Sequence, residues 1–441
     1  MAKVNYEWQV GETDWDDDTE LLSFEPTPTR PSPLRRLRSV PRRLVWLSSA
    51  ATVLLLAVVG WRLWQGYQDG FTRVRRDIQA TSDLEAWAWL NRDSPLSDSL
   101  VSANASAGWR TRATGIEGRL REWAGDNVAA PQVQLTDLEM RGNLALVRAN
   151  VTLSETATDF SAYSEMRFYE RGDDGVWRRT SPDPGFWGVE RRLSSDHFQV
   201  VYRARDHAAV RAFLPRAEAM YVGLLRDLGL DPAREKPFKL NIVPTLEGVT
   251  FRFSNDHELT MPSPLLIPTS QGYQPEDRLL RPLASPLAYY LVQRALEKPT
   301  LNRDTVWATG RLALGISNWL AFDSAPLPTA WQAQLEADFR RELASGHFIS
   351  LASLTSSYDY DRSMGRLYGS RMVAVSLADY IAATYGRESL GRLLQALPGA
   401  RNWDEVTATV LNISPLDLED AWRAYIYQRY GIQLKQEAAA Q

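Results

Sequence analysis

The chain has 441 residues, enough for two or three domains, and a net charge of −4 with no basic domain, so nucleic acid is not an expected partner. Cysteine is absent, which removes disulfides, zinc fingers, iron–sulfur clusters and cysteine nucleophiles together. Lysine is confined to Lys3, Lys236, Lys239, Lys298 and Lys435 while arginine is frequent, a bias of GC-rich, bacterial genomes.

Residues 1–43 read as a disordered cytoplasmic tail. Glu7, Glu12, Asp14, Asp16, Asp17, Asp18, Glu20 and Glu25 face a single Lys3, with Tyr6, Trp8, Trp15 and Phe24 interleaved. Too little of this is apolar to build a core. Acidic residues alternating with aromatics suit a docking peptide that folds on a protein partner, and a solvated tail without a partner accounts for them equally well. Pro26, Pro28, Pro31 and Pro33 then make an extended spacer.

Leu44 to Trp61 contains no charged side chain and spans roughly 27 Å as a helix, close to the hydrocarbon thickness of a bilayer. This predicts a single transmembrane helix over 44–64. Trp46, Trp61 and Trp64 fall at interfacial depth. Arg35, Arg36, Arg38, Arg42 and Arg43 precede the run, keep the N-terminus in the cytoplasm, and would touch anionic lipid headgroups. Residues 65–441 are then expected to lie outside the cell membrane. The run is too long, too late and too bulky at its end for a cleaved signal peptide.

Residues 65–190 read as a small α+β domain. A helical pattern runs from Phe71 through Val74, Ile78, Leu84 and Trp87 to Leu90, and a second candidate spans Ser99 to Trp123. Strands are predicted at 133–140, 144–153, 164–169 and 176–180. In the third, Met166 and Phe168 share one face. The turns between are marked by Arg141-Gly-Asn143 and Asp174-Gly175. Trp177 and Trp187 read as core aromatics. The order, with the stretch from Gly175 to Gly188, resembles the nuclear-transport-factor-two-like cone fold. That resemblance implies a pocket between sheet and helices. No histidine occurs between 70 and 190, so the domain reads as a spacer or binding module.

Residues 191–432 read as a larger, mainly helical domain with a small N-terminal sheet, followed by a disordered tail at 433–441. Strands are predicted at 197–203, 237–243 and 265–267. A helix is predicted from 206 to 228 and stopped by Gly229. Helices follow at 276–297, 303–322, 327–345, 365–386, 388–396, 402–411 and 415–430. The opening His197-Phe-Gln-Val-Val-Tyr, the helix Trp307 to Ala321, the helix Leu367 to Gly386 and the closing Asp417 to Tyr425 together resemble the peptidase-MA-like branch of the gluzincin zinc metallopeptidases.

That family's chemistry needs two histidines four apart on one helical face, a glutamate beside the first as general base, and a further glutamate from the next helix. The alignment the resemblance implies puts Ser285 at the first histidine, Pro286 at the general base, Tyr289 at the second histidine and Leu314 at the glutamate. A neutral serine is a poor zinc ligand, and tyrosine, with an ordinary pKa near ~10, stays protonated. Leucine cannot coordinate, and proline cannot act as a base. Ser285-Pro286 is also a good N-cap and first-turn pair, which predicts that the helix starts or is re-capped there. Neither metal nor cofactor is therefore expected.

The other candidates carry less. His257-Glu258 begins like a zinc motif but has Met261 at the second ligand position, in an expected loop. His197, His207 and His257 each follow an aspartate, and neighbours in sequence do not make a triad. Asp359-Tyr-Asp361 reads as a polar loop. The expectation is an α+β, single-pass membrane protein whose outer, non-catalytic peptidase-like domain binds, senses or assembles. A peptide or glycan would sit in a cleft lined by Ser285, Tyr289, Leu314 and Tyr368. A membrane-anchored metallopeptidase or other hydrolase with atypical ligands is the alternative.

Overall fold

The computed structural model describes residues 42–111, 131–152, 162–231, 236–250, 252–254, 257–270, 274–296, 306–325, 329–344, 351 and 367–431. The expected tails at 1–41 and 432–441, the end of the Ser99 to Trp123 helix, His347 and the Asp359–Asp361 pair lie outside them, as do Arg35, Arg36 and Arg38. Of the side chains of Arg42, Arg43, Trp46 and Tyr368 nothing is described. The chain divides into two units, Met1–Asp69 and Gly70–Gln441.

Helix α1 (Arg42–Asn91) corrects the transmembrane expectation. Among the described residues no helix is long and apolar enough to cross a membrane. The physical reason is composition. Arg62, Gln65, Gln68 and Asp69 end the uncharged run after Trp61, and polar residues recur through the rest of α1. Trp61 and Trp64, expected at a bilayer interface, are more than half exposed, with ring centroids 5.5 Å apart.

The α+β class holds, at 61% helix and 19% strand of the described residues. A short helix α2 (Ser94–Ser99) follows α1, capped by the Asp93 side chain and with Pro95 in its first turn. The first sheet runs in the order β1 (Gln132–Arg141), β2 (Leu144–Thr152), β3 (Ala162–Arg171), β4 (Trp177–Arg179), all antiparallel. Gly142 and Gly175 take positive φ in its two tight turns, where a side chain would be strained. The predicted strands 133–140, 144–153, 164–169 and 176–180 correspond to these four.

Alternation splits β2 and β3 between two faces. Ala145, Val147, Ala149, Val151, Tyr163 and Tyr169 pack with Ile78 of α1. Leu146, Phe168 and the predicted partner Met166 point the other way, against Phe186, Trp187 and Leu266. α1 also covers the outer edge of β1. Arg75 donates to the Leu135 carbonyl (2.5 Å), Gln79 donates to the Val133 carbonyl (2.7 Å), and the Leu135 amide donates back to Gln79 (3.2 Å). Those side chains occupy backbone groups that an open edge would offer to another chain.

The second sheet runs β5 (Glu190–Ser194), β6 (Phe198–Arg203), β7 (Phe238–Val243), β8 (Glu258–Pro262). β5 pairs antiparallel with β6; β6, β7 and β8 are parallel. Helix α3 (His207–Leu228) makes the β6–β7 crossover and ends at Gly229 in the left-handed conformation, as its sequence predicts. Two expectations are corrected here. Leu265-Leu-Ile267 is not a strand: Ser263 caps a single 3-10 turn, Pro264–Leu266, through the Leu265 amide. The strand lies earlier, at Glu258–Pro262, where Leu259 and Met261 alternate into the core, so His257-Glu258 opens a strand rather than sitting in a loop.

The remaining helices are α4 (Asp277–Ala295), α5 (Val306–Ser324), α6 (Thr329–Ala344), α7 (Leu367–Tyr385), α8 (Glu388–Ala396), α9 (Trp403–Val410) and α10 (Pro415–Tyr430). They share one apolar core with α3 and the second sheet. α4 corrects the predicted start at Ser285. It begins at Asp277 and continues through Pro282 and Pro286. Leu279, Leu280 and Leu283 are buried ahead of Ser285, and that burial holds a turn that local capping preference would have ended. The strand β9 (Thr269–Ser270) leaves this half of the chain and pairs with β3 in the first sheet.

Candidate functional site

Three places bring polar or ionisable side chains together. The first is the α4–α5 pair. Arg281 donates to the Ala325 carbonyl (2.7 Å) and lies over the Phe322 ring, 5.4 Å from its centroid. That anchor ties the start of α4 to the end of α5, so the two run antiparallel. Tyr289 and Leu314 are each eight residues from it, roughly 12 Å along their helices, and so lie level with one another.

Ser285 is exposed, Pro286 is buried, Tyr289 is half-buried and Leu314 is 41% exposed. Pro286 therefore packs into the core while its neighbour faces solvent. The Arg252 guanidinium lies over the Tyr289 ring at 5.1 Å. Sequence reading missed Arg252, because nothing in a loop arginine 37 positions earlier marks it as a neighbour of Tyr289. This surface offers a hydroxyl, an aromatic face and a cation. It offers no carboxylate or imidazole at the four aligned positions.

The described histidines, His197, His207 and His257, are dispersed. His197 Nδ1 meets Glu218 at 2.7 Å, and its backbone N–H donates to the same carboxylate at 2.8 Å. His207 Nδ1 meets the Tyr202 hydroxyl at 2.7 Å, and His257 Nε2 meets the Tyr290 hydroxyl at 2.9 Å. No group of three histidine, aspartate or glutamate side chains arranged to hold a metal occurs among the described residues. Tyr425 and Trp319 both donate to Asp379, at 2.9 and 3.0 Å, and Arg429 approaches it at 3.1 Å, so that carboxylate is occupied on both oxygens.

The second place lies between α1 and the first sheet, where a cone fold would hold its pocket. Glu165, Arg167 and Tyr169 occupy the β3 face opposite Met166 and Phe168, and α1 covers them. Arg167 reaches Glu165 (2.6 Å), Glu85 (3.3 Å) and Ser82 (2.9 Å). Arg179 reaches Glu85 (3.4 Å) and Glu165 (3.8 Å), and lies 5.9 Å over Trp109. The Tyr169 hydroxyl donates to Glu85 at 3.3 Å.

Two cations face two anions here, and none of the four side chains is more than 16% exposed. Burial raises the pKa of the Glu165 carboxyl, but the two guanidiniums override it and hold it below the ordinary carboxylate value. Burial lowers that of Arg167, and Glu165 with Glu85 reverses this, leaving it well above its ordinary value. Tyr169 is pushed up to about 12, first by burial and then by Glu85. Trp177, read as core from sequence, is 2% exposed beside this network. The signal for the network was present in the Glu-x-Arg-x-Tyr alternation of β3, which by itself also describes a solvent-facing stripe.

The third place is Trp187, Ser263 and Asp206. Trp187 Nε1 donates to Ser263 Oγ (2.9 Å), and Ser263 Oγ donates to Asp206 Oδ1 (2.7 Å). Trp187 is core, at 1% exposure, as its sequence context predicts. No motif or spacing marks Asp206 or Ser263 as its partners.

No family model matches the chain, and no curated protein matches it.

Proposed function

We propose that this chain is a non-catalytic binding protein, in which the solvent-facing stripe of α4 and α5 takes a peptide or glycan ligand. One observation carries the reading: on the alignment that the peptidase-MA-like resemblance implies, Ser285, Pro286, Tyr289 and Leu314 stand where such an enzyme needs two imidazoles and two carboxylates. A serine hydroxyl, a phenol, an alkyl chain and a proline ring are not the ligand set or the base that such a zinc site uses. The stacked Arg252 and Tyr289 supply the recognition chemistry in their place. A guanidinium held over a ring is already oriented, and it favours an anionic group, while the exposed Leu314 gives apolar contact.

The test uses the purified full chain. Zinc well below one equivalent, with no cleavage of casein, supports the reading. One equivalent of zinc with chelator-sensitive cleavage overturns it. A pool of fluorescent acidic peptides should bind the wild type saturably and at least tenfold more weakly to Tyr289→Ala; equal binding rejects the stripe as the ligand surface.

A further inference from the structure

Asp206 is a buried carboxylate that the binding surface does not use. It closes the 3-10 turn Ala204–Asp206 directly ahead of α3 and is 1% exposed. Among the described residues, Oδ1 accepts from Ser263, itself 0% exposed. Ser263 in turn accepts from Trp187, and Trp187 stacks on Phe168 of the first sheet with centroids 5.5 Å apart. Three side chains therefore link the aromatic cluster of the first sheet to the start of α3, which packs on the second sheet.

Oδ2 is buried and has no hydrogen-bond partner among the described residues. The charged and titratable groups around it are directed elsewhere. Arg205 reaches Glu139 (2.7 Å) and the Phe186 carbonyl (3.0 Å), and Arg203 reaches the Gly188 carbonyl (3.1 Å). Arg141 lies over the Phe186 ring, and Arg278 donates to the Pro264 carbonyl (3.0 Å). Asp183 accepts from the Gly185 amide (2.8 Å), and His207 is joined to Tyr202. A carboxylate held this way has lost its water and gained one neutral donor, an arrangement that favours the uncharged acid.

We propose that Asp206 is a proton-operated latch between the two sheets: the neutral acid holds the Trp187–Ser263–Asp206 chain shut, and ionisation loosens it. Burial pushes the Asp206 carboxyl up to about 6 from an ordinary 3.8, and Ser263, Trp187 and Arg205 pull it only part of the way back. The closed state thus binds the proton more tightly than the open one. Its advantage is complete at low pH, declines as pH rises between about 4 and about 6, and is level above that. With these values the opening equilibrium rises about tenfold from pH 5 to pH 7.5.

Hydrogen exchange of the full chain, corrected for intrinsic rates, tests the latch. The reporter is the segment from Asp183 to Ala204, which holds the Phe186 amide on the Asp183 carbonyl and the Ala204 amide on the Val189 carbonyl. The wild type should lose about tenfold in protection there between pH 5 and 7.5, and Asp206→Asn should abolish that difference. Ser263→Ala removes the carboxylate's one donor, so the midpoint should move to higher pH, and this variant decides the matter should Asp206→Asn not fold. Wild-type protection indifferent to pH, a tenfold change that survives in Asp206→Asn, or an unmoved midpoint in Ser263→Ala would each overturn the proposal.

Discussion

Both sheets bury apolar surface against their helices, and the first adds a buried ion network. The first lays Glu165, Arg167 and Tyr169 under α1, where they meet Glu85 and Arg179. The second lays Phe198, Val200, Phe238, Leu240, Ile242, Leu259 and Met261 into a core with α3 and α4. Apolar burial needs only the right volume and a dry neighbour. A buried ion network needs every partner, because desolvation offsets most of the attraction between the charges. The ion network therefore selects one arrangement of α1 on the first sheet while contributing little net stability, whereas the second sheet is stabilised by groups that tolerate exchange.

The sharpest way to break the contrast is Arg167→Ala. It strands Glu165 and Glu85 in a dry site and should cost about 3–5 kcal/mol in denaturant unfolding. Replacing all four charges (Glu85→Leu, Glu165→Leu, Arg167→Met, Arg179→Met) should instead be neutral or stabilising by about 1–4 kcal/mol. If the quadruple variant loses as much as Arg167→Ala, the network stabilises the fold outright and the contrast fails.

On the apolar side, the limit is packing. A methyl on Gly315 of α5 would stand 2.6 Å from the Ala374 carbonyl of α7, so Gly315→Ala should destabilise by about 1–3 kcal/mol. An unchanged melting temperature would mean that α5 and α7 separate easily.

Acid sharpens the comparison further. The Glu165 carboxyl is held below its ordinary value of 4.5, so its contribution is present above that pH and is lost as pH falls through the lower folded value. Amides of β3 should lose protection on acidification before those of β7; simultaneous loss would count against the network. This sign is opposite to that of Asp206. The smallest effect belongs to the surface. Arg192 and Glu190 are 78% and 54% exposed, and Arg192→Ala should shift stability by less than about 0.5 kcal/mol.

Much of the element plan could be read from the chain. Strong period-2 runs with turn residues located β1 to β4, and apolar stripes closed by Gly229 located α3. The misreadings have local causes. Ser285-Pro286 carries a capping signal that the burial of Leu279, Leu280 and Leu283 overrides. Leu265-Leu-Ile267 is apolar enough for a strand, yet Ser263-Pro264 turns the backbone first. The transmembrane expectation came from an apolar run beginning at Leu44, and the described part of α1 dilutes that run with polar residues.

Residue type alone takes imidazole and carboxylate away from Ser285, Pro286, Tyr289 and Leu314, and no fold can give leucine a lone pair or proline a base. Which side chains meet was beyond its reach. Arg252 on Tyr289, Asp206 behind Ser263 and Trp187, and Arg167 on Glu85 join residues 37 to 82 positions apart. Alternation and periodicity specify a face, but not what covers it. That cover follows from how whole helices and sheets dispose of their remaining apolar surface, a property of the assembled chain rather than of any segment.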